Sequence, residues 1–213
     1  MPSTRPASPR RGRPARSPAQ AEASRSRILE SARALFAAEG YEGVSMRKIA
    51  AMAECSPAAL YTLFPNKRQL LRHIWETVFA DLVTEMERLY KHTAAPERLL
   101  TLCEAAIDFW LHRPNDFRAI FLIEDRLQGA GDAYFVDSSE AVPRLTVLRR
   151  CIVEAQARGE LQHGDPDAIQ NVLLCGVQGV AFNLITIPEY PWGDPAALTR
   201  NMMRTLLAGL ATP

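Results

Sequence analysis

The chain of 213 residues places its densest chemistry near its start, where Arg10-Arg11-Gly12-Arg13-Pro14 sets arginines on either side of a glycine. Glycine lets a backbone lie deep in a narrow DNA minor groove, and the guanidinium groups meet the negative potential there. A basic tail that follows phosphates without preference would use the same charges, so both readings stand. The motif belongs to a wider bias. Residues 1–72 carry an excess of eight positive charges although the whole chain is formally +1, which leaves an excess of seven negative charges on residues 73–213. A basic third joined to an acidic remainder points to a polyanion as the partner of the first part. An unevenly charged solvated surface is the bland alternative.

Other chemistries find little support in the spacing of the residues that would perform them. His73, His92, His112 and His163 show no metal-ligand spacing, and His73-Ile74-Trp75-Glu76 lacks the second histidine of a zinc-protease helix. Cys55, Cys103, Cys151 and Cys175 lie far apart with no C-x-x-C pair, which fits a reducing cytoplasm better than a disulfide scaffold. With no G-x-S-x-G elbow, phosphate loop or dinucleotide glycine fingerprint, no catalytic residue, metal or cofactor is expected. An all-α enzyme with a constellation invisible in sequence, or a helical interaction module without DNA binding, remains as the competing class. The N-terminus lacks the apolar core of a signal peptide. Residues Ala168–Pro188 carry no charge and are long enough to span a bilayer, but Gln170, Asn171, Gln178 and Asn183 interrupt them and no basic cluster closes either end. A membrane partner is therefore not expected.

The elements that must position these residues read as helices throughout. Five prolines among the first 20 residues argue for a flexible basic arm over 1–20. From about Ser24, Ile28, Leu29, Ala32, Leu35 and Phe36 form one apolar face, with Gly40 as the stop. Ser45 caps a short helix over 46–53 that buries Ile49, Ala50 and Ala53. After a break at Glu54-Cys55, Ser56 caps and Pro57 opens a third helix through Phe64, with Leu60 and Phe64 inward. Asn66 caps the next, whose stripe Leu70, Ile74, Val78, Leu82, Met86, Leu89 runs for many turns. Further helices are expected over 96–112, 114–123, about 133–158, 165–187 and 194–211. The fold class is all-α: a three-helix head over 21–66 and a helical bundle over 67–213.

Two short helices joined by a three-residue turn, with Ala50 and Ala53 permitting close approach, form a candidate helix-turn-helix whose second helix would enter the major groove. Its wording is specific. Leu35-Phe36-Ala37-Ala38-Glu39-Gly40-Tyr41, Ser45-Met46-Arg47-Lys48-Ile49-Ala50 and Ser56-Pro57-Ala58-Ala59-Leu60-Tyr61-Thr62-Leu63-Phe64 with Lys67 resemble the TetR family of bacterial regulators over residues 24–72, and the remaining bundle resembles it loosely. The resemblance implies a homodimer whose heads bind a double-stranded operator, an inverted repeat, and whose bundle binds a small-molecule effector that releases a repressor from DNA.

It also implies sites. Ser45, Tyr61 and Lys67 match phosphate-contacting positions, and Pro57, Ala58, Ala59 and Thr62 match the base-facing surface; Arg47, Lys48 and Ser56 complete the candidate DNA face, with Arg11 and Arg13 on the arm. The arm's Arg-Gly-Arg-Pro resembles an AT-hook. Leu63 stands where the family carries an aromatic residue or histidine, and Glu54 where it carries the turn glycine, which implies a strained or modified turn. Trp75, Phe79, Trp110, Phe117, Phe121 and Tyr134 are candidate cavity residues beside Asp108, His112 and Gln178, although plain core is the competing role for each aromatic ring. The expected effector is mostly apolar or aromatic. Val172, Gly176, Gly179, Val180 and Leu184 are the candidate dimer contacts, with burial inside one subunit as the alternative.

Overall fold

The computed structural model describes residues 17–124 and 133–212. The arm arginines Arg11 and Arg13 lie outside the described residues. Within them the chain is helical, and its one β-type pairing is an isolated bridge between Leu161 and Ala211.

Helix α1 spans Pro18–Gly43, with Ser17 as its cap: the Ser17 hydroxyl accepts from the Gln20 N–H, and the Gln20 side chain accepts from the Ser17 N–H. Residues 18–20 are thus the first turn of a helix and not part of an unstructured arm. Pro18 is no obstacle, because the first helical position has no intrahelical partner for an N–H. At the other end Gly40 adopts φ 70°, ψ 175°, a conformation open almost only to glycine, and the regular helix breaks there before a last turn to Gly43. Helices α2 (Met46–Met52) and α3 (Pro57–Leu63) follow, capped by Ser45 and Ser56 as the sequence predicts. Ile28, Ala32, Phe36, Ile49, Ala50, Leu60 and Phe64 close the head's core.

Helix α4 (Lys67–His92) starts at the Asn66 cap and runs without a break from the head into the bundle. Leu70, Leu71 and Ile74 serve the head end of the core, whereas Val78, Leu82 and Met86 serve the bundle end. Around it stand α5 (Ala95–Leu111), α6 (Pro114–Phe121), α7 (Phe135–Ser138), α8 (Val147–Ala157), α9 (Pro166–Thr186) and α10 (Pro195–Leu210). Short α6 ties the parts together. Trp75 of α4 donates its indole N–H to the Ala119 carbonyl at 2.8 Å, Arg33 of α1 lies 3.0 Å from Asp116, and Arg118 donates to the Ile185 carbonyl of α9 at 2.6 Å.

The single helix expected over about 133–158 is instead broken into α7, a 3₁₀ turn at Val142–Arg144 and α8. Local chemistry explains the break. Glu76 of α4 accepts from the Ser139 hydroxyl and from the backbone N–H groups of Glu140 and Ala141, while the Ser139 hydroxyl accepts from Ala141 and Val142. Those N–H groups are withdrawn from any helix, and Pro143 offers none.

Helix α9 is long and apolar enough to cross a membrane by length and composition alone, yet Ile169, Leu173, Val177 and Ile185 are buried against neighbouring helices. Its packing corrects two of the expected dimer contacts. Gly176 and Val180 are buried within their own subunit, and a Cβ on Gly176 would lie 2.4 Å from Leu206 Cδ1 and 3.0 Å from Met203 Cε of α10. The glycine permits a close α9–α10 crossing, not a contact between subunits. Val172 is exposed, space beside Gly179 is open, and Leu184 packs partly against the core.

A side chain at that crossing overpacks it. Gly176→Val is expected to lower stability by about 1–3 kcal/mol, read from denaturant unfolding; an unchanged midpoint would show that α10 yields freely. A second prediction concerns the α1–α4 seam, where Arg25 Nη2 lies 3.0 Å from His73 Nε2 and the guanidinium carbon sits 5.0 Å from the Phe64 ring centre. Burial, then the charges of Arg25 and Arg33, lower the His73 pKa from its usual value despite Glu22 and Glu76 nearby. The folded state favours neutral imidazole, so this contribution is present above pH 6.5 and is lost as pH falls through the depressed value. Asp116, whose carboxyl burial pushes up, runs in the opposite sense but is common to both proteins compared. Melting temperature should therefore drop more between pH 7.5 and 5.5 in the wild type than in His73→Gln; equal drops would contradict the assignment.

Candidate nucleic-acid interface and ligand cavity

Backbone bonds close the turn between α2 and α3. Cys55 N–H donates to the Ala50 carbonyl at 2.9 Å and Glu54 N–H to the Ala51 carbonyl at 3.2 Å, the paired closure that ends a helix when the residue between is left-handed. Glu54 takes that position with φ 52°, a conformation usually left to glycine. The modified turn read from the sequence is thus a left-handed glutamate, and the turn keeps its hydrogen bonds. It aims α3 so that Leu60 is fully buried while Ser56, Pro57, Ala58, Tyr61 and Thr62 are exposed and Ala59 is half-buried.

On this face the hydroxyls of Ser45 and Ser56 accept from the backbone N–H groups of Lys48 and Ala59, which leaves each hydroxyl hydrogen to donate outward. Thr62 instead donates its hydroxyl hydrogen to the Ala58 carbonyl at 2.8 Å, so its methyl and oxygen remain for contact. The cations divide differently from a simple count of charge. Lys48 is ion-paired with Glu39, its ammonium 2.6 Å from Oε1. Lys67 turns inward, donating to the carbonyls of Tyr41 at 2.5 Å and Val44 at 3.0 Å, with its ammonium 4.0 Å from the Tyr41 ring centre. It clamps the α1–α2 connection to α3–α4, with two of its three N–H groups given to those carbonyls. Arg47 is exposed in the first turn of α2.

The bundle surrounds a partly open cavity of about 300 Å³. Phe79, Leu82 and Met86 of α4 form one wall, Leu102, Cys103 and Trp110 of α5 a second, and Leu174 and Val177 of α9 a third. Val142, Leu145 and Leu148 close it from the 3₁₀ turn and α8. Trp110 meets Phe79 and Phe121 edge-on, with centroids 6.3 and 5.2 Å apart. Burial pushes the Cys103 thiol up to about 12, so it is neutral. Polar groups on the lining come from α9, namely Gln170 and Gln178.

Four of the nine expected cavity residues line it: Phe79, Trp110, Phe121 and Gln178. The other five do not. Trp75 is buried with its N–H committed to Ala119, and Phe117 is plain core beneath Trp110 and Phe121. Asp108 and His112 pair with each other on the outer face of α5, with 68% and 76% of their side chains exposed. Tyr134 is also exposed, and its neighbour Phe135 packs inward on Trp75 and Phe79. Sequence reading missed the aliphatic lining and Gln170. The stripe of α4 held a usable signal, since Leu82 and Met86 continue the face that carries Phe79.

Lys67→Met should lower stability by about 1–3 kcal/mol as well as weaken DNA binding, because it removes charge-assisted bonds inside the head. Arg47→Ala should weaken binding across all DNA sequences while changing stability by less than about 0.5 kcal/mol. Denaturant unfolding and duplex titration separate the two, and a Lys67→Met protein of wild-type stability would remove the clamp.

Residues 28–74 match the model of bacterial regulatory proteins of the tetR family. The chain is 30% identical over 145 residues to the HTH-type transcriptional repressor NicS of Pseudomonas putida, an alignment covering 66% of each protein. The fold is shared with the transcriptional regulator FadR of Bacillus subtilis in complex with stearoyl-CoA, at a TM-score of 0.73 and 19% identity over 87% of this chain and 98% of that one. It is also shared with SmeT in a triclosan complex, at 0.67 and 24% identity over 89% and 92%. Together with the helix-turn-helix geometry of the head, these matches establish that the chain belongs to the TetR family of bacterial regulatory proteins.

Proposed function

We propose that the protein is a cytoplasmic, homodimeric repressor whose two heads bind an inverted-repeat operator and which a small molecule in the bundle cavity releases from DNA. The observation that carries this reading is the continuity of α4: one unbroken helix starts against α3 in the head and walls the cavity with Phe79, Leu82 and Met86. A ligand that displaces α4 cannot leave α3 where it was, since α2, α3 and α4 share one core. Regulators of the same fold hold small molecules, stearoyl-CoA in FadR and triclosan in SmeT, which supports the effector half.

For the DNA half, Ser45, Arg47, Ser56 and Tyr61 supply phosphate donors, with Lys48 and Lys67 contributing charge from their internal pairings. Pro57, Ala58, Ala59 and Thr62 face the bases. These offer no bidentate donor for guanine or adenine, so thymine methyl groups and DNA shape provide much of the readout. For the dimer, Val172 and Phe182 of α9 and Met202 of α10 are exposed apolar side chains suited to pairing two bundles.

Footprinting on the DNA flanking the protein's own gene tests the reading. Two protected half-sites about one helical turn or a multiple apart are expected, with affinity falling steeply with salt at about 0.9 in log–log slope per phosphate contact. Replacing operator thymines with uracil should weaken binding at a few positions. Absence of any protected site, or a salt-independent affinity, would contradict the proposal.

A further inference from the structure

The cavity has a chemical signature narrower than its apolar character. Among the described lining residues none is charged, and a charged ligand would have to give up its hydration without a counter-ion. The Cys103 thiol, pushed up to about 12 by burial, adds no charge either. One lining residue is out of place in such a wall. Gln170 Oε1 is buried and has no hydrogen-bond partner among the described residues, which is a costly state for an amide oxygen. Gln178, the other polar lining residue on α9, is exposed and therefore hydrated. The apolar wall thus holds one unmet polar demand, at Gln170.

Size sets a second limit. A cavity of about 150 Å³ holds one benzene ring, so about 300 Å³ suits two rings or their alicyclic equivalent. Trp110, Phe79 and Phe121 present ring edges and faces for such a body. A hydroxyl both donates and accepts, so it satisfies the Gln170 amide in either orientation of its oxygen and nitrogen.

We propose that the cavity selects a neutral, two-ring apolar molecule carrying a hydroxyl, and that Gln170 is the residue that reads the hydroxyl. The inference rests on the effector reading above and specifies its ligand class. Gln170 acts as a specificity determinant, while the aromatic and aliphatic lining supplies affinity without regard to the polar group.

Equilibrium dialysis of the full chain against 4-hydroxybiphenyl, its isostere 4-methylbiphenyl and biphenyl-4-carboxylate tests this. The hydroxyl compound should bind about tenfold more tightly than the methyl compound, and the carboxylate should show no saturable binding. Gln170→Leu should bring the hydroxyl preference close to one while retaining 4-methylbiphenyl, which shows that the cavity is still formed. Carboxylate binding equal to that of the hydroxyl compound, a preference that survives Gln170→Leu, or no saturable binding by the hydroxyl compound would overturn the proposal. Operator binding measured with the same compounds separates the two readings. Selective binding of the hydroxyl compound without release of DNA upholds the ligand class and sinks the effector role, whereas release by the carboxylate sinks the ligand class and leaves the effector role standing.

Discussion

Helix α4 must satisfy two cores at once, and most of the structure follows from that constraint. Its first turns complete the head, where Leu70 and Ile74 are fully buried beside Leu60 and Phe64, and its later turns complete the bundle through Val78 and Leu82. A helix 26 residues long is about 39 Å from end to end. Rigid over that length, it carries a displacement at Phe79 or Leu82 to Lys67 without needing a chain of side-chain rearrangements. The α6 bonds reinforce this role, because Trp75–Ala119 and Arg33–Asp116 fix the same short helix to both α4 and α1.

Electrostatics in the head are less generous to DNA than composition implies. Five of the eight excess positive charges in residues 1–72 belong to arginines within residues 1–16. Among the described cations, Lys48 is ion-paired with Glu39, Lys67 is bound to backbone carbonyls, Arg33 faces Asp116, and Arg68 and Arg72 both donate to the Ala133 carbonyl. Much of the basic character therefore builds the protein. The DNA face proposed above offers hydroxyls, backbone N–H groups and a few exposed cations rather than a dense basic patch.

The head was legible in the sequence because its determinants are local. Ser45, Ser56, Asn66, Pro57 and Gly40 act within one turn of where they stand, so caps and stops read directly. The start of α1 is less legible, because prolines over 1–20 argue for an arm while the reciprocal Ser17–Gln20 cap begins the helix at Pro18. In the bundle, the break after Ser138 is imposed by Glu76, 63 to 65 residues away from the groups it binds, and no local pattern carries that information. The cavity shows the same limit. Residue type identified aromatic candidates, but whether a ring lines a void or fills the core depends on which helix crosses above it, as the divergent fates of Phe121 and Phe117 show. Gly176 likewise signals close approach by its type, and only packing reveals that the approaching helix is α10 of the same chain.

In the proposed function the cavity and the DNA face on α2 and α3 are separate sites joined through α4, with a coupling free energy between them that thermodynamic linkage makes reciprocal. Measuring the affinity of one cavity-binding compound for the free protein and for the operator-bound protein tests it most directly. Weaker binding to the DNA complex is expected, by the same factor through which the compound weakens operator binding, with a smaller factor in Trp75→Phe, where α4 loses its indole hydrogen bond to Ala119 of α6. Equal affinity for the free and DNA-bound protein would contradict it.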